Sequence, residues 1–237
     1  MKTLPFIKSK KLLNIDKNAK TVKGQKFGYK TAILYLAPSN LSGFKVCPMA
    51  SKGCKASCLN TSGHGAFSNV QLGRINKTRW FIQERESFLK QLIKEINNHI
   101  INCNKKGFIP CIRLNGTSDI SFENFGIMEQ FPNVQFYDYT KVYKRALKFV
   151  NGDMPKNYHL TYSLNEDNKK EAFNILKLGG NISAVFRKYL PKEFKSFKVI
   201  DADLSDLRFK DPLNSICGLV AKGKAKQDYS GFVLDTQ

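Results

Sequence analysis

Short apolar runs alternate with helical patterns along most of this chain, and that alternation constrains its fold more than any other feature. The runs are Thr31 to Ala37, Phe108 to Leu114, Val134 to Tyr139, Tyr158 to Ser163, Asn181 to Phe186, Lys198 to Asp201 and Ser215 to Val220. Between them, residues 70–102 read as one long helix or two in series. Phe81, Phe88, Leu89, Leu92, Ile93, Ile96 and Ile100 recur there at three- and four-residue steps and make one apolar face. Shorter helices fit 122–130, 141–150 and 166–178, the last stopped by Gly179-Gly180. Strand, helix and strand repeated in this way imply crossover connections and a mostly parallel α/β sheet. Polar clusters just past nearly every strand favour a full or partial βα (TIM-like) barrel over an open doubly wound sheet. Residues 1–30 carry nine Lys and one Asp and read as a basic N-terminal extension with an early hairpin or loop. Residues 31–237 read as a single barrel-like domain.

The long loop after the first strand, residues 38–69, holds the clearest chemistry. Cys47, Cys54 and Cys58 fall within twelve residues, a density above chance when the whole chain has six Cys. Pro48 and Gly53 allow a tight wrap that brings three thiols together, and soft thiolates suit zinc or an iron–sulfur cluster. Neither spacing is a zinc knuckle. A zinc site needs a fourth ligand, for which His64 and Cys217 are the candidates; a 4Fe-4S cluster tolerates three. Reduced, unligated thiols are the remaining reading. Cys103 and Cys111 read as ordinary buried cysteines, as does Cys217 if it binds no metal.

Polar residues crowd the strand ends, where parallel α/β folds bind ligands. Asn115, Ser118, Asp119, Lys141 and Ser163 are the candidate cofactor contacts. Capping of the following helices is the competing reading for the short polar residues, and a solvated first-turn lysine is the competing reading for Lys141. There is no phosphate-binding glycine loop and no dinucleotide fingerprint.

The net charge is +20, with 39 Lys and Arg against 19 Asp and Glu. Such a chain attracts polyanions, and nucleic acid is the leading partner. Lys141, Lys144, Arg145 and Lys148 form one basic stretch and Lys222, Lys224 and Lys226 another. Lys greatly outnumbers Arg, which argues against base-specific readout. No run of apolar residues is long enough to span a membrane, and the N-terminus lacks a secretory h-region. The expectation is a cytoplasmic protein with reduced thiols and no membrane partner. The sequence leaves its oligomeric state open.

Five segments carry a family resemblance. They are Cys47 to Cys54 continuing through Cys58-Leu59, Arg113 to Asp119, Tyr137 to Lys141, Asp206 to Phe209 with Asp211-Pro212, and Gly218 to Lys224. Together they resemble the phage gene product 88 family over roughly residues 25–235. That resemblance implies a phage-encoded protein, placed in the host cytoplasm, but little about activity. Some relatives carry a label of rolling-circle replication initiation, whose paired metal-binding histidines have no counterpart here. The layout is also similar to the radical S-adenosylmethionine superfamily, which carries three cluster cysteines in the loop after the first barrel strand, at tighter spacing than here. The similarity implies a 4Fe-4S cluster on Cys47, Cys54 and Cys58, S-adenosylmethionine as cofactor, and radical chemistry on nucleic acid or nucleotides. The alternative from another class is a nucleic-acid-binding or replication accessory protein whose zinc or iron–sulfur site is only structural.

Overall fold

A parallel sheet buries both faces, so each of its strands needs two coverings. In the computed structural model, which describes residues 3–16 and 19–235, the two coverings are of different chemical kinds. The central strands are β2 (Tyr29–Leu34), β3 (Ile109–Arg113), β4 (Gln135–Thr140), β5 (Tyr158–Ser163) and β6 (Ile182–Phe186), neighbours in that order and all parallel. β9 (Ile216–Val220) and β8 (Phe197–Asp201) continue the sheet in parallel beyond β6. Two antiparallel strands end it, β1 (Leu13–Ile15) beside β2 and β7 (Glu193–Phe194) beside β8. β10 (Val233–Leu234) pairs with the end of β6. The strand order runs with the chain from β1 to β6 and does not reverse there, and the pairing does not close into a ring.

Alternate residues divide the chemistry. Ala32, Leu34, Ile112, Leu114, Phe136, Leu160, Ile182, Ala184 and Ile216 face the helices and are fully buried or nearly so. The long helical pattern is two helices, α3 (Ser68–Gln83) and α4 (Arg85–Lys105), separated at Glu84, whose φ of −134° and ψ of 58° leave the helical region. Phe88, Leu92, Ile96, His99 and Cys103 of α4 are buried at helical spacing, as the apolar face requires. α6 (Tyr143–Val150) and α7 (Lys169–Lys177) cover the second half of the same face. Three short helices complete the set: α1 (Ala19–Gly24), α2 (Lys52–Ala56) and α5 (Ile127–Gln130).

The residues between these apolar positions are mostly polar: Thr31, Arg113, Tyr137, Tyr139, His159 and Thr161, with Ile33 among them. α6 reaches His159, whose ring lies 5.0 Å from that of Phe149. The segment after β8 covers Arg113 and Tyr137 by supplying partners. Arg113 Nη1 donates to Asp206 Oδ2 at 2.7 Å, and the Tyr137 hydroxyl donates to the same oxygen at 3.3 Å. Phe209 packs against Tyr29 and Tyr137. Arg208 is 1% exposed, the largest fully buried side chain among the described residues.

The N-terminal extension departs from expectation. Residue 30 lies inside β2, β1 pairs with β2, and Leu12 and Leu13 are buried. Glu95 of α4 accepts their amides at 2.8 and 2.9 Å. The domain therefore begins before residue 31; residues 1, 2, 17 and 18 lie outside the described ones.

His159 yields a pH prediction. Burial lowers its pKa from 6.5 to about 4, with the nearby Arg208 charge acting in the same direction. The unfolded chain therefore takes up this proton first as pH falls, and stability drops between about pH 6.5 and pH 4. Asp138 opposes it, because burial raises that carboxyl from 3.8 to about 6, so native protein holds a proton that the unfolded chain has released. The readout is thus the comparison with a His159→Gln variant. Denaturant titrations should show that wild type loses about 2 kcal/mol more than the variant on going from about pH 7.5 to about pH 5.

Candidate functional site

The cysteine loop is held against the carboxyl ends of the strands by a carboxylate from across the sheet. Glu166, just past β5, accepts the Ser51 hydroxyl at 2.7 Å and the Gly53 amide at 2.6 Å. Ser51 caps α2 by accepting the Cys54 amide at 3.2 Å. Gly53 has no room for a side chain, since a Cβ there would lie 2.0 Å from Ser230 Oγ and 2.6 Å from Phe232 Cβ. The Cys47 end is tied down as well. Its sulfur accepts the Ser39 amide at 3.2 Å, and the Asp119 amide donates to the Val46 carbonyl at 2.8 Å.

These restraints bring Cys47, Cys54 and Cys58 into one electrostatic neighbourhood. Burial raises the Cys47 thiol to about 11, and the charges of Cys58, Asp119 and Cys54 push the same way. Burial also raises Cys58, with Cys54 adding to it and Arg74 and Lys141 opposing. The thiols are not set in a liganding shell: among the described residues no three His, Cys, Asp or Glu are arranged to hold a metal ion. The residue types are those that a soft, thiolate-bound group takes, three cysteines of one loop, and the charges of Arg74 and Lys141 act on Cys58.

Among the described residues no metal-holding group includes His64 or Cys217, the proposed fourth ligands. His64 is exposed and its ring lies 5.6 Å from that of Phe67. Cys217 is buried on β9, where its thiol donates to Asp211 Oδ2 at 3.3 Å. Cys103 and Cys111 are buried elsewhere, as ordinary core cysteines.

The β3 strand-end cluster is spent on its own architecture. Asn115 Oδ1 accepts the Ser118 hydroxyl and the Ile120 amide, and its Nδ2 donates to the Ile120 carbonyl. Asp119 accepts from Thr140 at 2.9 Å, from the Lys141 amide at 2.7 Å and from Arg145 at 2.5 Å. These bonds brace the loops after β3 and β4, and no side chain caps the helices that follow them. Lys141 and Ser163 sit differently. Lys141 Nζ donates to Ser163 Oγ at 2.5 Å, lies 5.7 Å from the Phe232 ring centre, and its charge reaches Cys58.

Two residues of this site escape sequence reading. Arg74 of α3 stacks on Tyr35, with Cζ 4.8 Å from the ring centre, and donates to Asn60 Oδ1 at 2.5 Å. Nothing in the local helix pattern marks it. Glu166 follows Ser163-Leu164-Asn165 directly, so the strand-end rule would have reached it one residue further on.

The basic residues separate by role. Lys144, Lys148, Lys222, Lys224 and Lys226 are exposed. Arg145 is not a surface cation. It is 5% exposed, pairs through Nε and Nη2 with Glu123 at 2.7 and 2.8 Å, and also holds Asp119 and the Tyr158 hydroxyl. Its expected contact with nucleic acid is corrected to an internal brace.

Two variants test this division. Arg145→Met should cost about 3–5 kcal/mol in denaturant titrations, because it strands two buried carboxylates, and should leave the salt dependence of polyanion binding unchanged. Gly53→Ala forces α2 off its seat, so thiol-labelling kinetics should show Cys47 and Cys58 reacting about tenfold faster while the far-UV spectrum stays native.

A family model described as Gene product 88 matches residues 9–236. No curated protein matches the chain. No solved structure matches it. A match over nearly the whole length, on a chain whose cysteine loop, strand-end clusters and post-β8 segment form one connected unit, shows that the protein belongs to the gene product 88 family.

Proposed function

We propose that this protein binds a 4Fe-4S cluster through Cys47, Cys54 and Cys58 at the carboxyl rim of a partial βα barrel, and acts there on nucleic acid or a nucleotide. The single observation that carries the reading is that three thiols from one clamped loop lie near enough for their charges to act on one another, with Arg74 and Lys141 acting on Cys58. Three ligands suit a cluster with one open iron better than tetrahedral zinc, which needs a fourth, and of the candidates for that place Cys217 is bonded to Asp211 and His64 is exposed. When bound, such a cluster supplies one-electron transfer, and S-adenosylmethionine is the cofactor the layout suggests. The chain's own part is to hold the loop through Glu166 and Gly53 and to set two cations beside the sulfurs. The unreversed strand order from β2 to β6 supports the barrel reading. Exposed Lys144, Lys148, Lys222, Lys224 and Lys226 supply the polyanion surface. Among the described residues no helix is long and apolar enough to cross a membrane.

Anaerobic reconstitution with iron and sulfide tests the cluster. The expected result is a brown protein with broad absorption near about 400 nm and about four irons per chain, lost in Cys47→Ser, Cys54→Ser and Cys58→Ser and kept in Cys103→Ser. A colourless preparation with about one zinc per chain would overturn it in favour of a structural metal site. Nucleic-acid binding that survives all three serine substitutions, without turnover of S-adenosylmethionine, would favour the non-catalytic accessory role.

A further inference from the structure

The polar face of the sheet carries hydrogen-bond donors that the chain does not satisfy. Arg113 Nε, Arg208 Nε and Arg208 Nη1 are buried and have no hydrogen-bond acceptor among the described residues. Arg208 Nη1 lies 3.1 Å from Asp211 Oδ2 as an ion pair, at an angle that makes no hydrogen bond. The fourth such atom, Asn181 Nδ2, is at the opposite ends of the strands, just before β6. Three of the four orphans therefore belong to two arginines, and both arginines border Tyr139. Arg113 Cζ is 5.1 Å from the Tyr139 ring centre, and the charges of Arg208 and Arg113 both reach the phenol. Burial keeps that phenol protonated, and its hydroxyl makes no hydrogen bond with the described residues.

We propose that Arg113, Arg208 and Tyr139 form an oxyanion-binding site on the polar face, which takes a phosphate or carboxylate group of the substrate. A buried, unmet donor on a charged group is costly, and native proteins keep one mainly where water, an ion or a ligand supplies the acceptor. The unmet atoms of both arginines are donors, and the phenol adds a hydroxyl that can donate as well as accept. Of the carboxylates nearby, Asp206 takes Arg113 and Tyr137 through Oδ2, and Asp211 Oδ2 takes the Cys217 thiol and lies beside Arg208 Nη1. An oxyanion brings several lone pairs and no proton to place, and guanidinium edges match its planar or tetrahedral oxygens. Lys141, two residues after Tyr139 and just past the end of β4, carries its positive charge towards Cys58.

This inference deepens the functional reading above by naming a substrate class, and its test needs no iron. Metal-free protein is heated at constant ionic strength in inorganic phosphate, in acetate, or in chloride alone. Phosphate or acetate should raise Tm saturably over chloride. Protection by phosphate assigns a phosphate group, and protection by acetate a carboxylate. Tyr139→Phe, which only removes a hydroxyl, should weaken the protecting anion by about tenfold, and Arg113→Lys should weaken it further. Arg208→Lys gives the same answer if it folds, and Tyr139→Phe carries the test if it does not. No saturable shift over chloride overturns the site. So does a shift that Tyr139→Phe and Arg113→Lys leave unchanged, since that is binding to surface lysines. A failed cluster reconstitution leaves this measurement untouched.

Discussion

The Arg113–Asp206 pair fixes how the two faces of the sheet are covered. One face is closed in the ordinary way, by helices over aliphatic and aromatic side chains. The other cannot be, because an arginine, two tyrosines and two threonines on it need partners rather than grease. Asp206 answers two of those groups and draws Leu207, Arg208 and Phe209 in behind it. Burying a charged pair stabilises little in itself, but breaking one is expensive, so the pair acts as a lock on where this segment lies. The segment between β8 and β9 is thereby turned from a surface loop into the lining of the polar face.

A second buried network does the same for the rim. Arg145 draws Asp119 and Glu123 onto α6, and Asp119 in turn fixes Thr140 and the Lys141 amide. Asp138 gathers the Leu114 and Asn115 amides and the Tyr158 hydroxyl. The loop after β3 thus has its shape set before any ligand arrives. Lys141 and Ser163 are then presented on rigid strand ends, which is the support a binding group needs to hold its geometry.

Much of the fold was legible because its signals are local. The 3.6-residue stripe on α4, the alternation on β3 to β6 and the Gly179-Gly180 stop depend only on neighbours in sequence. The basic residues of the N-terminus hid its place in the fold, because Leu12 and Leu13 join a core built from distant residues and their amides bond to Glu95, more than eighty residues away. Arg145 was misread for a related reason: three basic neighbours on a helix look like a surface stripe, and only the fold brings Glu123 and Asp119 to one of them. The cysteine trio was legible as a cluster. The glutamate that seats it was not, since a carboxylate after a strand has many uses and its choice of Gly53 is a tertiary fact.

The same networks explain where the positive charge resides. Asp119, Glu123 and Asp206 are turned inward onto Arg145 and Arg113, while Glu95 and Glu166 are spent on backbone amides. Arginine is the cation of the interior here, where its forked donors satisfy several acceptors at once. The exposed cations are mostly lysine, and the acids that pair with some of them, such as Glu84 with Lys8 and Asp203 with Lys222, are outnumbered. Lysine on a flexible stem is a point charge, and a surface of such charges grips a phosphate backbone without reading bases. Composition sets the net charge, 39 Lys and Arg against 19 Asp and Glu, and the networks that hold the site decide where some of those acids lie.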